Sequence, residues 1–167
     1  MSTYGRLPVS FTHGAGAWLW DEQGKKYLDV LSGIAVCGLG HAHPAVRDVL
    51  CEQAGQLIHT SNLYGIGRQE ALADELVRLS GMERVFFANS GAEANEGLIK
   101  LARLWGSEKG RHEIITMENS FHGRTLATLT ATGQDKVKMG FEPLPTGFVH
   151  VPFNDLDAVR AAVHEHT

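Results

Sequence analysis

Cysteine is scarce in this chain: Cys37 and Cys51 are the two among 167 residues. They form no C-x-x-C pair, so a disulfide framework and a thiolate zinc site are both excluded, and a reducing compartment is expected. Basic residues are also fewer than acidic ones. The chain has fifteen Lys and Arg and nineteen Asp and Glu, which gives a formal charge of −4. The sequence therefore lacks the general basic footprint of a nucleic-acid-binding protein.

Long apolar runs are also missing. Uninterrupted apolar runs reach about half a dozen residues, far below the ~18 that span a bilayer. No apolar segment typical of a signal peptide follows Met1. These features predict a cytoplasmic protein with no membrane partner. The composition, 43% hydrophobic and 20% charged, is that of a globular protein, and the length suffices for one full domain but not for two large ones.

The N-terminal part predicts a β-hairpin followed by two helices. Aromatic-rich runs at 17–20 and 26–30 flank the turn signal DEQG, which is the pattern of a hairpin. Pro44 suits the first turn of a helix that continues to about Leu57. The next helical pattern ends at Gly81, where a glycine favours helix termination.

Strands and helices alternate from residue 84 onward. Strands are predicted at 84–88, 113–117 and 147–151, and helices at 90–105, 126–132 and 156–164. In the first of these helices we expect a buried apolar stripe, made of Ala94, Leu98, Leu101, Ala102 and Trp105. The alternation predicts an α/β fold, with a parallel or mixed sheet covered by helices. About three strands make a small sheet, so we expect part of a larger domain.

A small, polar loop directly after the first predicted strand could hold a phosphate. Residues 89–96 read NSGAEANE, so a helix begins beside Ser90, Gly91 and Ala92. Free N–H groups and about half a positive charge lie at a helix N-terminus, and residues this small let an anion approach closely. Ser90 and Glu93 are also spaced as a capping box, which needs no ligand, so both interpretations stay open. The loop is neither a Walker A motif nor GxGxxG.

A second polar loop, residues 119–125, follows the next predicted strand. Ligands of open α/β sheets bind at the carboxyl ends of strands, where both loops are expected to lie. Phe121 could stack on a planar ring, and the guanidinium of Arg124 could bind a carboxylate through two hydrogen bonds. The plain alternatives are core packing for Phe121 and a solvated surface charge for Arg124.

Three segments together resemble the class III aminotransferases, fold-type I enzymes that use pyridoxal 5′-phosphate (PLP). They are NSGAEANE at 89–96, FHGRT at 121–125 and GLGHAHP at 38–44. The resemblance covers essentially the whole chain, in the family's order. Within the family, the segments that are most similar to the members acting on N-acetylornithine and 2-oxoglutarate are HTSNLY at 59–64, FHGRTLAT at 121–128 and PFND at 152–155. Succinylornithine, ornithine and 4-aminobutyrate types stay open as alternatives.

The resemblance implies roles for the residues of both loops. Ser90, Gly91 and Ala92 would hold the PLP phosphate. Phe121 would stack on the pyridine ring, and Arg124 would bind the α-carboxylate of the amino-acid substrate, N-acetylornithine or glutamate. A metal has no place in this arrangement.

The resemblance also implies an architecture. Residues 1–60 would belong to the small domain and residues 61–167 to the first part of the large, PLP-binding domain of a homodimeric enzyme. In the GLGHAHP segment, His41 and His43 could suggest a metal site. The segment itself contains no Cys or acidic residue, and a helix-starting proline ends it, so a structural role is expected and no metal site is predicted.

No catalytic residue is assigned within the chain. The family's Schiff-base lysine, and the carboxylate that binds the pyridinium nitrogen, belong to a part of the large domain that these residues do not reach. Six lysines are present; Lys100, for example, lies roughly 14 Å along its helix from the phosphate loop, so it cannot substitute. We therefore expect an N-terminal fragment that is inactive alone, with a non-catalytic PLP- or phosphate-binding module as the alternative.

Overall fold

The computed structural model describes residues 3–167, which divide into two compact units. The first unit runs to Ala71, and the second covers Leu72–Thr167. The assignment of residues 1–60 to a small domain and 61–167 to a large one stays a prediction. No helix in the described part of the chain is both long and apolar enough to cross a membrane.

An antiparallel three-stranded sheet opens the first unit. Its strands are β1 (Phe11–Ala15), β2 (Trp18–Asp21) and β3 (Lys26–Leu28), in that order across the sheet. The β2–β3 hairpin confirms the predicted pairing of the two aromatic-rich runs. The sequence pattern did not predict β1, because its sequence FTHGA has no continuous run of β-branched or aromatic residues. β1 forms because its backbone hydrogen-bonds to β2, although its own strand propensity is low.

The hairpin turn is organised by the buried carboxylate of Asp21. It accepts hydrogen bonds from the backbone N–H groups of Gln23 at 3.0 Å and Lys25 at 2.8 Å, and from the Tyr27 hydroxyl at 2.8 Å. The bond from Tyr27 is the main cause that lowers the pKa of Asp21 below its usual range. One ionised side chain therefore fixes both the turn and the strand that follows it.

His41 has the structural role that the sequence predicted. Its Nε2 lies 2.6 Å from Oδ2 of Asp29, whose side chain is almost fully buried. His41 also exchanges two backbone hydrogen bonds with Gly16. The preceding Gly40 has a φ of +85°, and a Cβ there would lie 2.9 Å from the Cα of Gly16, so this close approach requires glycine. The histidine thus ties its loop to the sheet.

Three helices complete this part of the chain. They are the single turn α1 (Ser32–Ala35), then α2 (Pro44–Gln56) and α3 (Gly67–Ser80), which carries the boundary between the units. α2 and α3 confirm the two helices expected from apolar periodicity, and Pro44 occupies the first turn of α2 as predicted. Neither helix contains a fully buried residue.

The second unit is built on two parallel strands. They are β4 (Ile114–Met117) and β5 (Phe148–Val151). Around them lie α4 (Gly91–Gly106), α5 (Leu126–Ala131) and α6 (Leu156–Ala162), with 3₁₀ turns at Ser107–Lys109 and Asp135–Val137. The buried apolar residues of the described chain all belong to this unit: Ile99, Leu129, Ala131 and Val151. The predicted α/β character is therefore confirmed, with one antiparallel and one parallel sheet.

The strand predicted at 84–88 is wrong for this structure. Residues 84–88 are not assigned to any strand, and the side chain of Phe86 is 77% exposed. A strand needs a neighbour to accept and donate its backbone hydrogen bonds. Among residues 3–167, no strand pairs with this run, so its apolar sequence does not produce one.

The predicted buried stripe on α4 is also wrong. Leu98 and Leu101 are each 63% exposed and Trp105 is 71% exposed; Ala94 and Ala102 are exposed as well. The helix buries a different face, defined by Asn95, Ile99 and Arg103 at successive intervals of four residues. The polar ends of this face bind neighbouring loops, and the Arg103 guanidinium donates to the Thr146 carbonyl at 2.6 Å.

Candidate functional site

The N-terminus of α4 is capped as its sequence predicted. The Oγ of Ser90 accepts a hydrogen bond from the N–H of Glu93 at 3.2 Å. The Glu93 carboxylate accepts from the N–H of Asn89 at 2.6 Å, one residue before the cap. A hydroxyl has one donor and two acceptor sites, so the hydrogen of the Ser90 hydroxyl can still be donated. The cap and an anion site are therefore compatible.

Two backbone donors at this helix end are free. The first intrahelical bond runs from the N–H of Ala94 to the carbonyl of Ser90, at 3.0 Å. Within residues 3–167, the N–H groups of Gly91 and Ala92 have no hydrogen-bond partner. The space where a Cβ on Gly91 would stand is open to 4 Å. Free donors and the positive end of a 16-residue helix are the features that an anion site requires.

The second predicted loop packs directly against this helix. A Cβ on Gly123 would lie 2.8 Å from the Cβ of Ala92 and 2.5 Å from the Oγ1 of Thr128, and Gly123 has a φ of +142°. The Asn95 side chain donates to the carbonyl of His122 at 2.7 Å. The structure thus brings the loops at 89–92 and 121–125 together, although only the second of them follows a strand among the described residues.

Phe121 and Arg124 lie on the open side of the second loop. The Phe121 side chain is 60% exposed, which removes core packing as its explanation. The Arg124 guanidinium carbon lies 5.5 Å from the centroid of the Phe121 ring, a cation–π distance. Arg124 forms no ion pair with any residue of the described chain. A planar ring and a carboxylate could therefore both be received here.

Sequence reasoning missed two buried threonines that support this loop. Thr128 and Thr132 are both fully buried. The Oγ1 of Thr128 accepts from the N–H of Thr125 at 3.1 Å, and the Oγ1 of Thr132 accepts from the N–H of His122 at 2.9 Å. The threonine-rich helix was expected, but its threonines carried no assigned role. Thr128 and Thr132 are four residues apart, which places both on one helix face, and this spacing could have indicated their role.

The lysines of the second unit make contacts elsewhere. Lys100 is exposed on α4, and Lys109 has its Nζ 5.7 Å from the Trp105 ring centroid, at the far end of that helix. Lys136 and Lys138 line a polar cavity with Glu118, and Lys138 pairs with an aspartate at 3.6 Å. The cavity also includes Asn119, the first residue of the second loop, but none of these contacts involves residues 89–92 or 121–125.

The family model for aminotransferase class-III matches residues 2–166. The chain therefore belongs to the class III aminotransferases, which depend on PLP. It is 65% identical over 162 residues to the acetylornithine aminotransferase of Nitrosomonas europaea, covering 96% of this chain and 41% of that protein. It is 54% identical over 167 residues to the acetylornithine aminotransferase of Methanothermobacter thermautotrophicus, covering 42% of that protein.

Solved structures give the same result for the fold. The ornithine aminotransferase of Toxoplasma gondii ME49 superposes with a TM-score of 0.91 at 30% identity, over 97% of this chain and 39% of that one. The N-acetylornithine aminotransferase of Stenotrophomonas maltophilia K279a superposes with a TM-score of 0.76 at 41% identity, over 96% of this chain and 40% of that one. The chain spans about two fifths of the length of these relatives, and it has the fold-type I architecture of its family.

Proposed function

We propose that this chain is the N-terminal part of a PLP-dependent aminotransferase of the acetylornithine type. The enzyme would transfer the amino group of N2-acetylornithine to 2-oxoglutarate, giving N-acetylglutamate 5-semialdehyde and glutamate, within arginine biosynthesis. The 65% identity to a protein named for this activity supports the substrate. The observation that carries the chemistry is local: two free helix N–H groups adjoin a loop that presents an exposed ring and an arginine.

The phosphate of PLP is held, in this proposal, by the first turn of α4. Gly91 and Ala92 supply backbone donors, and Ser90 supplies a hydroxyl donor while its oxygen caps the helix. The helix dipole favours a dianionic phosphate at the same point. Because the donors are fixed by the helix, they need no reorganisation when the anion arrives.

Phe121 and Arg124 receive the ring and the substrate. When bound, PLP would supply an electron-withdrawing ring that stabilises negative charge on the substrate carbon that bears the transferred amino group. The exposed face of Phe121 stacks on that ring and excludes water from it. Arg124 binds the α-carboxylate through its two parallel N–H donors and so orients the amino acid. N-acetylornithine reacts at the carbon of its terminal amino group, so its α-carboxylate is remote from the reacting carbon, as the side-chain carboxylate of glutamate is. One arginine at this position therefore binds a remote carboxylate in both halves of the exchange.

The lysine and the carboxylate that complete the chemistry are inferred to lie outside these 167 residues. The positions of the four lysines in the second unit support this inference. The chain alone would then bind the cofactor without transaminating. The complete enzyme is proposed to be a cytoplasmic homodimer.

A second candidate is a PLP- or phosphate-binding module that never transaminates. The free N–H groups of Gly91 and Ala92 would bind a phosphate without any reactive lysine, which favours keeping this possibility. The coding sequence downstream of Thr167 discriminates the two: an in-frame continuation with a lysine at a strand end supports the enzyme, whereas a stop codon supports the module.

Equilibrium titration of the chain with PLP and with pyridoxal, which lacks the phosphate, tests the proposal. PLP should bind about tenfold to a hundredfold more tightly, because two or three donors meet a charged acceptor. Equal affinity for the two compounds would overturn the phosphate assignment. Borohydride reduction in the presence of PLP, followed by peptide mapping, should label no single lysine. A unique labelled lysine would contradict the inference that the reactive lysine lies elsewhere.

A further inference from the structure

The second turn of α4 carries two polar side chains that the proposed function leaves without a role. They are Asn95 and Glu96, and both reach across to the loop at 121–125. We propose that Asn95 and Glu96 are positioning residues, which lock this loop to the helix that binds the phosphate. The proposal rests on the proposed function, because the loop carries the ring-stacking and carboxylate-binding side chains.

Asn95 holds the first half of the loop. Its side-chain N–H donates to the carbonyl of His122 at 2.7 Å, across a sequence separation of 27 residues. The backbone N–H of His122 donates to the buried Oγ1 of Thr132 at 2.9 Å. Both backbone groups of His122 are thus fixed from opposite sides. Phe121 directly precedes His122, so these hydrogen bonds also restrict the backbone of Phe121, although its ring is exposed.

Glu96 holds the second half. Its carboxylate accepts a hydrogen bond from the hydroxyl of Thr125, 29 residues away. Thr125 is the N-cap of α5, and its Oγ1 also lies 2.7 Å from the Oγ1 of the buried Thr128. A hydrogen bond to a charged acceptor is among the stronger kinds available to a hydroxyl. The start of α5 is therefore tied to α4.

Both sequence neighbours of Arg124 are held by other parts of the structure. Gly123 packs closely against Ala92 and Thr128. Thr125 is hydrogen-bonded to Glu96. The Arg124 side chain itself is exposed and forms no ion pair within the described residues. A fixed backbone with a free side chain is what a carboxylate-binding arginine needs, since small misplacements of a positioning group reduce catalysis strongly.

The consequence is a fixed separation between two anion sites. The free N–H groups of Gly91 and Ala92 lie one turn before Asn95 and Glu96 on the same rigid helix. Locking the loop at 121–125 to that turn sets the distance from the cofactor phosphate to the substrate carboxylate. We call the hydrogen bonds of Asn95 and Glu96 to this loop the lock. The lock should change the affinity of ligands that contact both the helix and the loop. It should not change the affinity of ligands that contact only the end of the helix.

Paired variants of the 167-residue chain test this. Thr125→Val removes the hydroxyl at nearly constant shape, whereas Thr125→Ser keeps it. Glu96→Ala removes the acceptor, whereas Glu96→Gln keeps an amide oxygen that can accept. Lys100→Ala, an exposed position on the same helix, is the control.

The first readout is the ratio of the dissociation constants of PLP and inorganic phosphate. Thr125→Val and Glu96→Ala should weaken PLP binding about tenfold and leave phosphate binding within about twofold, since only PLP also contacts the loop. Thr125→Ser should restore the wild-type ratio. Equal weakening of both ligands, or no weakening by either variant, would overturn the lock. A wild-type chain that binds the two ligands equally would instead contradict the proposed contact of PLP with the loop.

The second readout is amide hydrogen exchange without any ligand. The amides of His122 and Thr125, which bond to buried threonine hydroxyls, should exchange about tenfold faster in Glu96→Ala and Thr125→Val, while the amides of β4 keep their rates. Unchanged exchange at these two amides refutes the lock. A wild-type chain that binds neither PLP nor phosphate refutes the proposed function instead, and the lock is then decided by exchange alone.

Discussion

Gly123 and Ala92 are in such close contact that a single methyl group on the glycine would collide with the alanine Cβ, at 2.8 Å. Ala92 belongs to the helix turn with the free N–H groups, and Gly123 is the neighbour of Arg124. This one contact therefore joins the candidate phosphate site to the candidate carboxylate site. It also explains why the loop needs a glycine at a φ of +142°.

Gly123→Ala should therefore destabilise the second unit and weaken PLP binding. The added methyl meets Ala92 and Thr128 in backbone geometry that favours glycine, so we expect a loss of about 1–3 kcal/mol in the free energy of unfolding. Chemical denaturation monitored by circular dichroism measures it. Gly91→Ala is the stability control, because the space beside Gly91 is open. Equal stability of the two variants would contradict the close contact.

Arg124→Lys should separate carboxylate recognition from cofactor binding. The lysine keeps the charge but loses the two parallel donors, so a loss of about 1.5–3 kcal/mol is expected. In a transaminating protein that contains this chain, kcat/KM should fall roughly tenfold to a hundredfold for both N-acetylornithine and glutamate. The PLP dissociation constant should hardly change, since phosphate capture belongs to the α4 N-terminus. Wild-type kinetics would identify Arg124 as a surface charge.

The pair of Asp29 and His41 should make the first unit sensitive to acid. The hydrogen bond from His41, followed by the bond from the N–H of Ser32, lowers the pKa of Asp29 below its ordinary value. A lowered folded-state pKa contributes stability above the unfolded value of ~3.9, and this stability is lost as the pH falls through the lowered folded value. Thermal unfolding between pH 6 and pH 2, followed through Trp18 and Trp20, should show the loss.

Asp29→Asn is the matched variant for that titration. It keeps an oxygen that can accept from the backbone N–H groups but cannot ionise, so it should be less stable than the wild type at pH 6. The difference between the two proteins should shrink as the pH falls. A constant difference across the range would mean that ionisation of Asp29 makes no contribution.

The apolar groove along α4 should drive self-association of the chain. Phe86, Ala94, Leu98 and Leu101 line an open groove of about 900 Å³. Exposed apolar surface of this kind marks an interaction face or an aggregation site. The double variant Leu98→Glu and Leu101→Lys should shift the sedimentation profile toward the monomer, whereas Glu108→Ala, at an exposed position outside the groove, should not. A wild-type chain that sediments as a cooperatively unfolding monomer would contradict this expectation.

Local patterns were enough to predict most elements and the two site loops. The hairpin, the capped start of α4 and the parallel strands β4 and β5 depend on turn residues, capping and apolar runs that are visible in the sequence. Local patterns did not predict the strands correctly where strand formation depends on a partner that is distant in the sequence. Residues 84–88 have a strand sequence but no neighbouring strand among the described residues, and β1 has a weak sequence but a good neighbour.

Burial was harder to predict than secondary structure for the same reason. The apolar periodicity of α4 marks Leu98 and Leu101, yet the face that packs inward carries Asn95 and Arg103, because carbonyl groups of other loops accept their hydrogen bonds. No pattern within a single helix records such long-range partners. Thr128 contributes in the same way, through a hydroxyl whose role appears only once the loop is folded over it.

The free N–H group of Gly91 offers the most direct test of the central claim, that the N-terminus of α4 binds the cofactor phosphate. Gly91→Pro removes this donor at the helix position that best tolerates proline, after the extended Ser90 and in open space. Leu156→Pro, at the first position of α6, is the matched control. The account predicts that Gly91→Pro weakens PLP binding about tenfold with unchanged helix content, while Leu156→Pro binds as the wild type does. Wild-type PLP affinity in Gly91→Pro would contradict it.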